Sequence, residues 1–127
     1  MESSLYFYEK LPKRLSSSDE LKLFNEMHNG SKEARDKLIV HNMRFVIYIV
    51  MRYFENNNYD KKDLVSIGEI GLEHAVDTFD ASKNIKFSSY STKCIYNELA
   101  GFLRNDRKKP IIDSLDRSIN KKIMLVA

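Results

Sequence analysis

KKDLVSIGEIGLEHAVDTF, residues 61–79, decides the fold. At about 100° per residue, Leu64, Val65, Gly68, Gly71, Leu72, Ala75, Val76 and Phe79 fall on one face of a helix. The opposite face holds Asp63, Ser66, Glu69, Ile70, Glu73 and Asp77. One side is apolar enough to enter a core, and the other is acidic with one isoleucine among the carboxylates. Gly68 and Gly71 each cost a helix on the order of 1 kcal/mol. On the inner face that cost is understandable if they let a neighbouring helix approach closely.

The flanking segments read the same way. Ser16-Ser17-Ser18-Asp19-Glu20 is a helix start, with hydroxyl caps followed by acids at the positive end of the dipole. Leu21, Phe24 and Met27 recur at helical spacing, and Asn29-Gly30 stops the helix. Ser31 can cap the next one. From Ala34 to about Glu55 the apolar positions are so dense that strand and buried helix are both conceivable. A run near 20 residues without a turn signal favours one central helix, apolar around most of its girth. Asn56-Asn57-Asn58 ends it, and Asp80 to Ile85 is a polar loop.

A fourth helix is expected from roughly Ser89 to Arg104. Its inward face would be Thr92, Ile95, Leu99, Phe102 and Leu103, and its outward face Tyr90, Lys93, Cys94, Asn97, Ala100, Gly101 and Arg104. The expected fold is therefore all-α, a compact bundle of about four helices with a flexible C-terminal tail. The expected division is an N-terminal arm (1–15), a helical domain (16–109), and a linker and tail (110–127). No role is assigned to the short apolar stretch 123–127.

Composition agrees. The chain has 127 residues, 43% of them hydrophobic, which fits one domain with a small core. Two prolines and four glycines supply few turns for a sheet protein. The single cysteine, Cys94, excludes an intramolecular disulfide and fits a cytoplasmic location. No apolar run approaches the ~18 residues of a membrane span, and residues 1–10 do not form a secretion signal. The three histidines (His28, His41, His74) are scattered, so neither a metal site nor a cofactor is expected. Cys94 lacks the His–acid arrangement of a nucleophile, and the chain is not expected to be an enzyme.

The net charge of +3 hides an asymmetry. Residues 60–80 carry six acids and two bases, a net of −4, whereas residues 83–109 carry seven bases and two acids, a net of +5. Adjacent segments of opposite sign suggest one basic and one anionic partner, or else ordinary solvated helix faces.

Four stretches, in order, resemble region 2 of the sigma-70 family of bacterial RNA polymerase factors. LIVHNMRFVIYIVMRYF (38–54) is similar to its long core helix, and DLVSIGEIGLEHAVDTFD (63–80) to its polymerase-binding helix. IKFSSYSTKCIYNEL (85–99) resembles the promoter-melting segment, and SLDRSIN (114–120) the short linker after it. Residues 11–39 and Cys94 resemble the sporulation branch of the family, the late mother-cell type. Two features depart from the common pattern. Lys93-Cys94 stands where many members have a Trp pair, and Ile85 where an aromatic residue is frequent. The family's carboxy-terminal helix-turn-helix has no counterpart in this sequence, as in a truncated product, half of an interrupted gene or a minimal factor.

The resemblance implies a factor that binds core RNA polymerase, recognises the promoter −10 element and melts it. Asp63, Ser66, Glu69, Ile70 and Glu73 would face the basic coiled coil of the largest-subunit clamp. Carboxylates accept from Arg forks, and Ile70 supplies apolar area. Tyr90 would stack an unpaired adenine of the non-template strand, a gain of ~1–3 kcal/mol per base. Phe79 and Phe87 would help form its pocket, or else simply pack the core. Asn97 would read the upstream duplex end. Asn42 would hold a downstream base beside Arg44, or else be a helix-surface amide. Lys83, Lys86, Lys93, Arg104 and Arg107 would hold phosphates. Cys94 would be a small residue facing DNA. The alternative is a truncated, sigma-like interaction protein that occupies the clamp, or an anti-sigma partner, without initiating transcription.

Overall fold

The computed structural model describes residues 10–55 and 58–105. The linker, the tail, residues 1–9 and Arg107 lie outside the described residues. Among the described residues five helices follow in order: α1 (Ser17–His28), α2 (Lys32–Val40), α3 (Met43–Tyr53), α4 (Lys61–Thr78) and α5 (Phe87–Asn105). The architecture is all-α, as expected, and no strand occurs among the described residues.

The starts follow from capping chemistry. Ser16 accepts from the Asp19 amide at 3.2 Å and Ser31 from the Ala34 amide at 3.0 Å, both as anticipated. Asp60 does the same for Lys62 at 2.8 Å. Gly30 turns the chain between α1 and α2 at φ +101°, a conformation that side chains disfavour.

The expected single helix over 34–55 is in fact two. It breaks at His41-Asn42, where Asn42 has φ −109° and ψ 3°. The Asn42 side chain donates to the Leu38 carbonyl at 2.7 Å, competing with the backbone for that acceptor. Beyond the break α3 buries Met43, Val46, Ile47, Ile49 and Val50.

The core lies where α3, α4 and α5 meet, with α1 closing one end through Phe24. Leu64, Leu72, Ala75 and Val76 are fully buried, so the inner face of α4 is the one read from periodicity. The two glycines are what bring the helices together. A Cβ on Gly71 would lie 2.7 Å from both the Cys94 carbonyl oxygen and the Ile95 Cα of α5. One on Gly68 would meet Val46 Cγ1 of α3 at 2.7 Å.

The expected faces of α5 need correction. Ala100, placed outward, is buried, and so are Ser91 and Tyr96. Thr92 and Phe102, placed inward, are only partly covered. The reason is that α5 touches both α4 and α3, so its buried arc exceeds one stripe. Tyr96 fills the α3 side, its ring centroid 5.2 Å from Phe54 and 6.2 Å from Tyr53.

Candidate polymerase and nucleic-acid interfaces

On α4, Asp63 and Ser66 are exposed, Glu69 and Glu73 are half-exposed, and Ile70 is 53% exposed. All five therefore share one accessible face. Burial, and then the neighbouring Glu73, push the Glu69 carboxyl above its ordinary value. Asp77 continues the same stripe but is engaged elsewhere. Arg35 of α2 donates to it through Nε at 2.7 Å and Nη2 at 3.0 Å. Beside Ile70 an open groove of about 500 Å³ runs between α4 and α5, lined by Ile67, His74, Cys94, Asn97 and Phe102 among others.

On α5, Lys93, Asn97 and Arg104 are exposed and Tyr90 is half-buried. With Lys86 just before the helix, helical spacing puts all five on one stripe. Lys83 is exposed in the preceding loop, where Asp80 accepts from the Ser82 amide at 3.0 Å and Asn84 adopts φ 39°. Hydrogen bonds from Ser82 hold the Asp80 carboxyl below its usual value.

The aromatic residues at the start of this stripe form a cluster. Phe24, Phe79 and Phe87 contact one another with ring centroids 5.0–5.2 Å apart, and Tyr90 lies 5.9 Å from Phe79. Phe87 is buried in the core, and Phe79 is partly buried and packs against it. They also border a cleft of about 250 Å³ shared with Arg14, Ile85 and Lys86, but Tyr90 does not line it. The Tyr90 hydroxyl instead meets Thr78 Oγ1 at 2.6 Å. Cys94 is partly buried and lines the groove beside Ile70. Burial pushes its thiol up, and a hydrogen bond with Tyr90 and the Lys93 charge draw it partly back.

Asn42 and Arg44 do not stand on an open helix surface. Asn42 is 1% exposed, donates to Leu38 and, at 3.4 Å, to Glu20 Oε2, and its Oδ1 has no hydrogen-bond partner. Arg44 donates to the Leu11 carbonyl at 2.7 Å and the Pro12 carbonyl at 3.1 Å, while His41 Nδ1 lies 2.8 Å from the Lys13 carbonyl. Residues 11–14 thus cross the α2–α3 junction as a strap, with the Arg14 guanidinium 5.5 Å from the Phe45 ring centroid. Sequence reasoning missed Arg35, Thr78 and His41, whose partners lie 42, 12 and 28 positions away. No local pattern announces such pairs.

Among the described residues no helix is long and apolar enough to cross a membrane, and no acid, His and Cys cluster could hold a metal ion.

Residues 38–109 match the family model for sigma-70 region 2. The chain is 44% identical over 100 residues to the RNA polymerase sigma-E factor of Clostridium acetobutylicum, covering 79% of this chain and 42% of that protein. It is 45% identical over 93 residues to the RNA polymerase sigma-28 factor of Bacillus thuringiensis subsp. kurstaki, covering 73% and 39%. It is 44% identical over 88 residues to the RNA polymerase sigma-K factor of Bacillus subtilis, covering 69% and 30%. The chain spans no more than 42% of the length of these relatives. They belong to the sporulation branch anticipated from residues 11–39 and Cys94. With the stretches 38–54, 63–80 and 85–99 inside that match and their helices packed around one core, this chain belongs to the sigma-70 region 2 family.

Proposed function

We propose that this chain binds core RNA polymerase through the outer face of α4 and opens promoter DNA along the outer stripe of α5. One observation carries the reading. Two helices locked at Gly71 present an acidic, partly apolar face and a cationic, aromatic stripe to solvent. Carboxylates around an exposed isoleucine suit a basic protein surface with an apolar seam. Lys83, Lys86, Lys93 and Arg104 suit phosphates, Asn97 a base edge, and Tyr90 an unpaired −10 base. The chain performs no covalent chemistry in this account; it spends binding energy on strand separation.

A second reading is favoured by Asn42 and Arg44, which are engaged inside the molecule and not offered to DNA. In it the chain occupies the polymerase clamp, or an anti-sigma partner, without opening promoters. Run-off transcription with core enzyme separates the two. Transcripts dependent on the added chain support promoter opening. Inhibition of another sigma factor with no transcript of its own supports occupation.

A further inference from the structure

We propose that Thr78, at the end of α4, is a positioning residue that holds the Tyr90 ring ready to stack an unpaired base; the inference rests on the strand-opening reading above. The proton count fixes the direction of the key bond. Thr78 Oγ1 donates its only proton to the His74 carbonyl at 2.7 Å. At 2.6 Å from the Tyr90 oxygen it must therefore accept, and Tyr90 must donate. The relay Tyr90 to Thr78 to His74 ties the far end of the ring to the backbone of α4. The ring body is held separately by Phe79, 5.9 Å away and tilted by 40°. Thr78 is exposed and Tyr90 half-buried, so the tyrosine is pinned at its hydroxyl and along one side while part of it stays accessible.

A stacking surface gains most when its own freedom is already spent. An unpinned tyrosine would have to settle into one rotamer as the base arrived, and that cost would come out of the stacking gain. Tyr90 starts in place.

The test uses the full chain and two probes, a short single-stranded oligothymidylate with one central adenine and its twin with an abasic site there. The readout is the ratio of the two affinities by fluorescence anisotropy. It isolates base stacking from phosphate attraction, which both probes share. Thr78→Val and Tyr90→Phe should each reduce the adenine preference by roughly three- to tenfold, the worth of one hydrogen bond. The double variant should lose no more than Tyr90→Phe alone, because that substitution already removes the Thr78 bond along with the one to Cys94. Thr78→Ser should retain the preference. Unchanged preference in Thr78→Val and Tyr90→Phe, with loss in Tyr90→Ala, would overturn the positioning role alone. So would fully additive losses in the double variant, which would mark Thr78 as acting only on helix-end structure. No adenine preference in the unaltered chain, or its retention in Tyr90→Ala, would overturn the stacking reading and the positioning role with it.

Discussion

Arg35 and Asp77 join α2 to the last turn of α4 by a two-pronged fork, Nε to Oδ1 at 2.7 Å and Nη2 to Oδ2 at 3.0 Å. The hydrogen bond from Arg35 holds the Asp77 carboxyl below its ordinary 3.8. A carboxyl depressed in the folded state stabilises above its unfolded pKa, and the gain disappears as pH falls through the lower, folded value. Both groups are well exposed, so the fork is worth only about 0.5 kcal/mol. Asp77→Asn should therefore lower stability slightly at neutral pH. Urea unfolding should show the gap from the unaltered chain closing below the ordinary carboxylate range.

The glycines of α4 make a sharper contrast. Gly71→Ala forces a methyl group against backbone atoms of α5, which cannot rotate away. It should cost about 2 kcal/mol despite the better helix propensity of alanine. Gly68→Ala meets the Val46 side chain and should cost less. Gly101→Ala, whose nearest neighbour would be the Arg104 guanidinium at 3.9 Å, should stabilise by about 0.5–1 kcal/mol. Thermal melts of the three variants give this order directly.

The strap over α3 hangs on Arg44. Arg44→Ala removes the donor to the Leu11 and Pro12 carbonyls and leaves the His41 contact to the Lys13 carbonyl in place. Cleavage by trypsin after Lys13 or Arg14 should accelerate severalfold, tracking the population of the released strap. Equal cleavage rates would show that the strap is held by its side chains instead.

Glu20 is raised above its ordinary 4.5, first by burial and in spite of its hydrogen bond with Asn42. A carboxyl raised in the folded state is ionised at a cost. Stability falls as pH climbs from the ordinary value through the raised one, and the cost persists above it. Glu20→Gln removes the charge, so it should stabilise the chain near neutral pH and make no difference in acid. Denaturant midpoints at the two pH values check the sign.

Much of the fold was legible because periodicity reports which face of a helix is buried when that helix has one neighbouring layer. Thus α4, with its buried Leu64, Gly68, Leu72 and Val76, was read correctly. In α5 the same method misplaced Ala100, because a helix between two neighbours buries more than one stripe. The break at Asn42 was missed because it depends on one side-chain bond to Leu38, not on any turn signal. At the site, the exposed carboxylates of α4 and the cations of α5 follow from spacing alone. The tethering of Tyr90 to Thr78 and of Arg44 to the strap does not, since those partners meet only after the chain has folded.

Affinity for core RNA polymerase tests the centre of the account most directly. Asp63→Lys combined with Glu73→Lys reverses two accessible charges without touching the core. The unaltered chain should co-purify with core enzyme at low salt and dissociate as salt rises, and the double reversal should weaken binding by at least tenfold. Binding that is unchanged by the reversal, or undetectable for the unaltered chain at low salt, would contradict it.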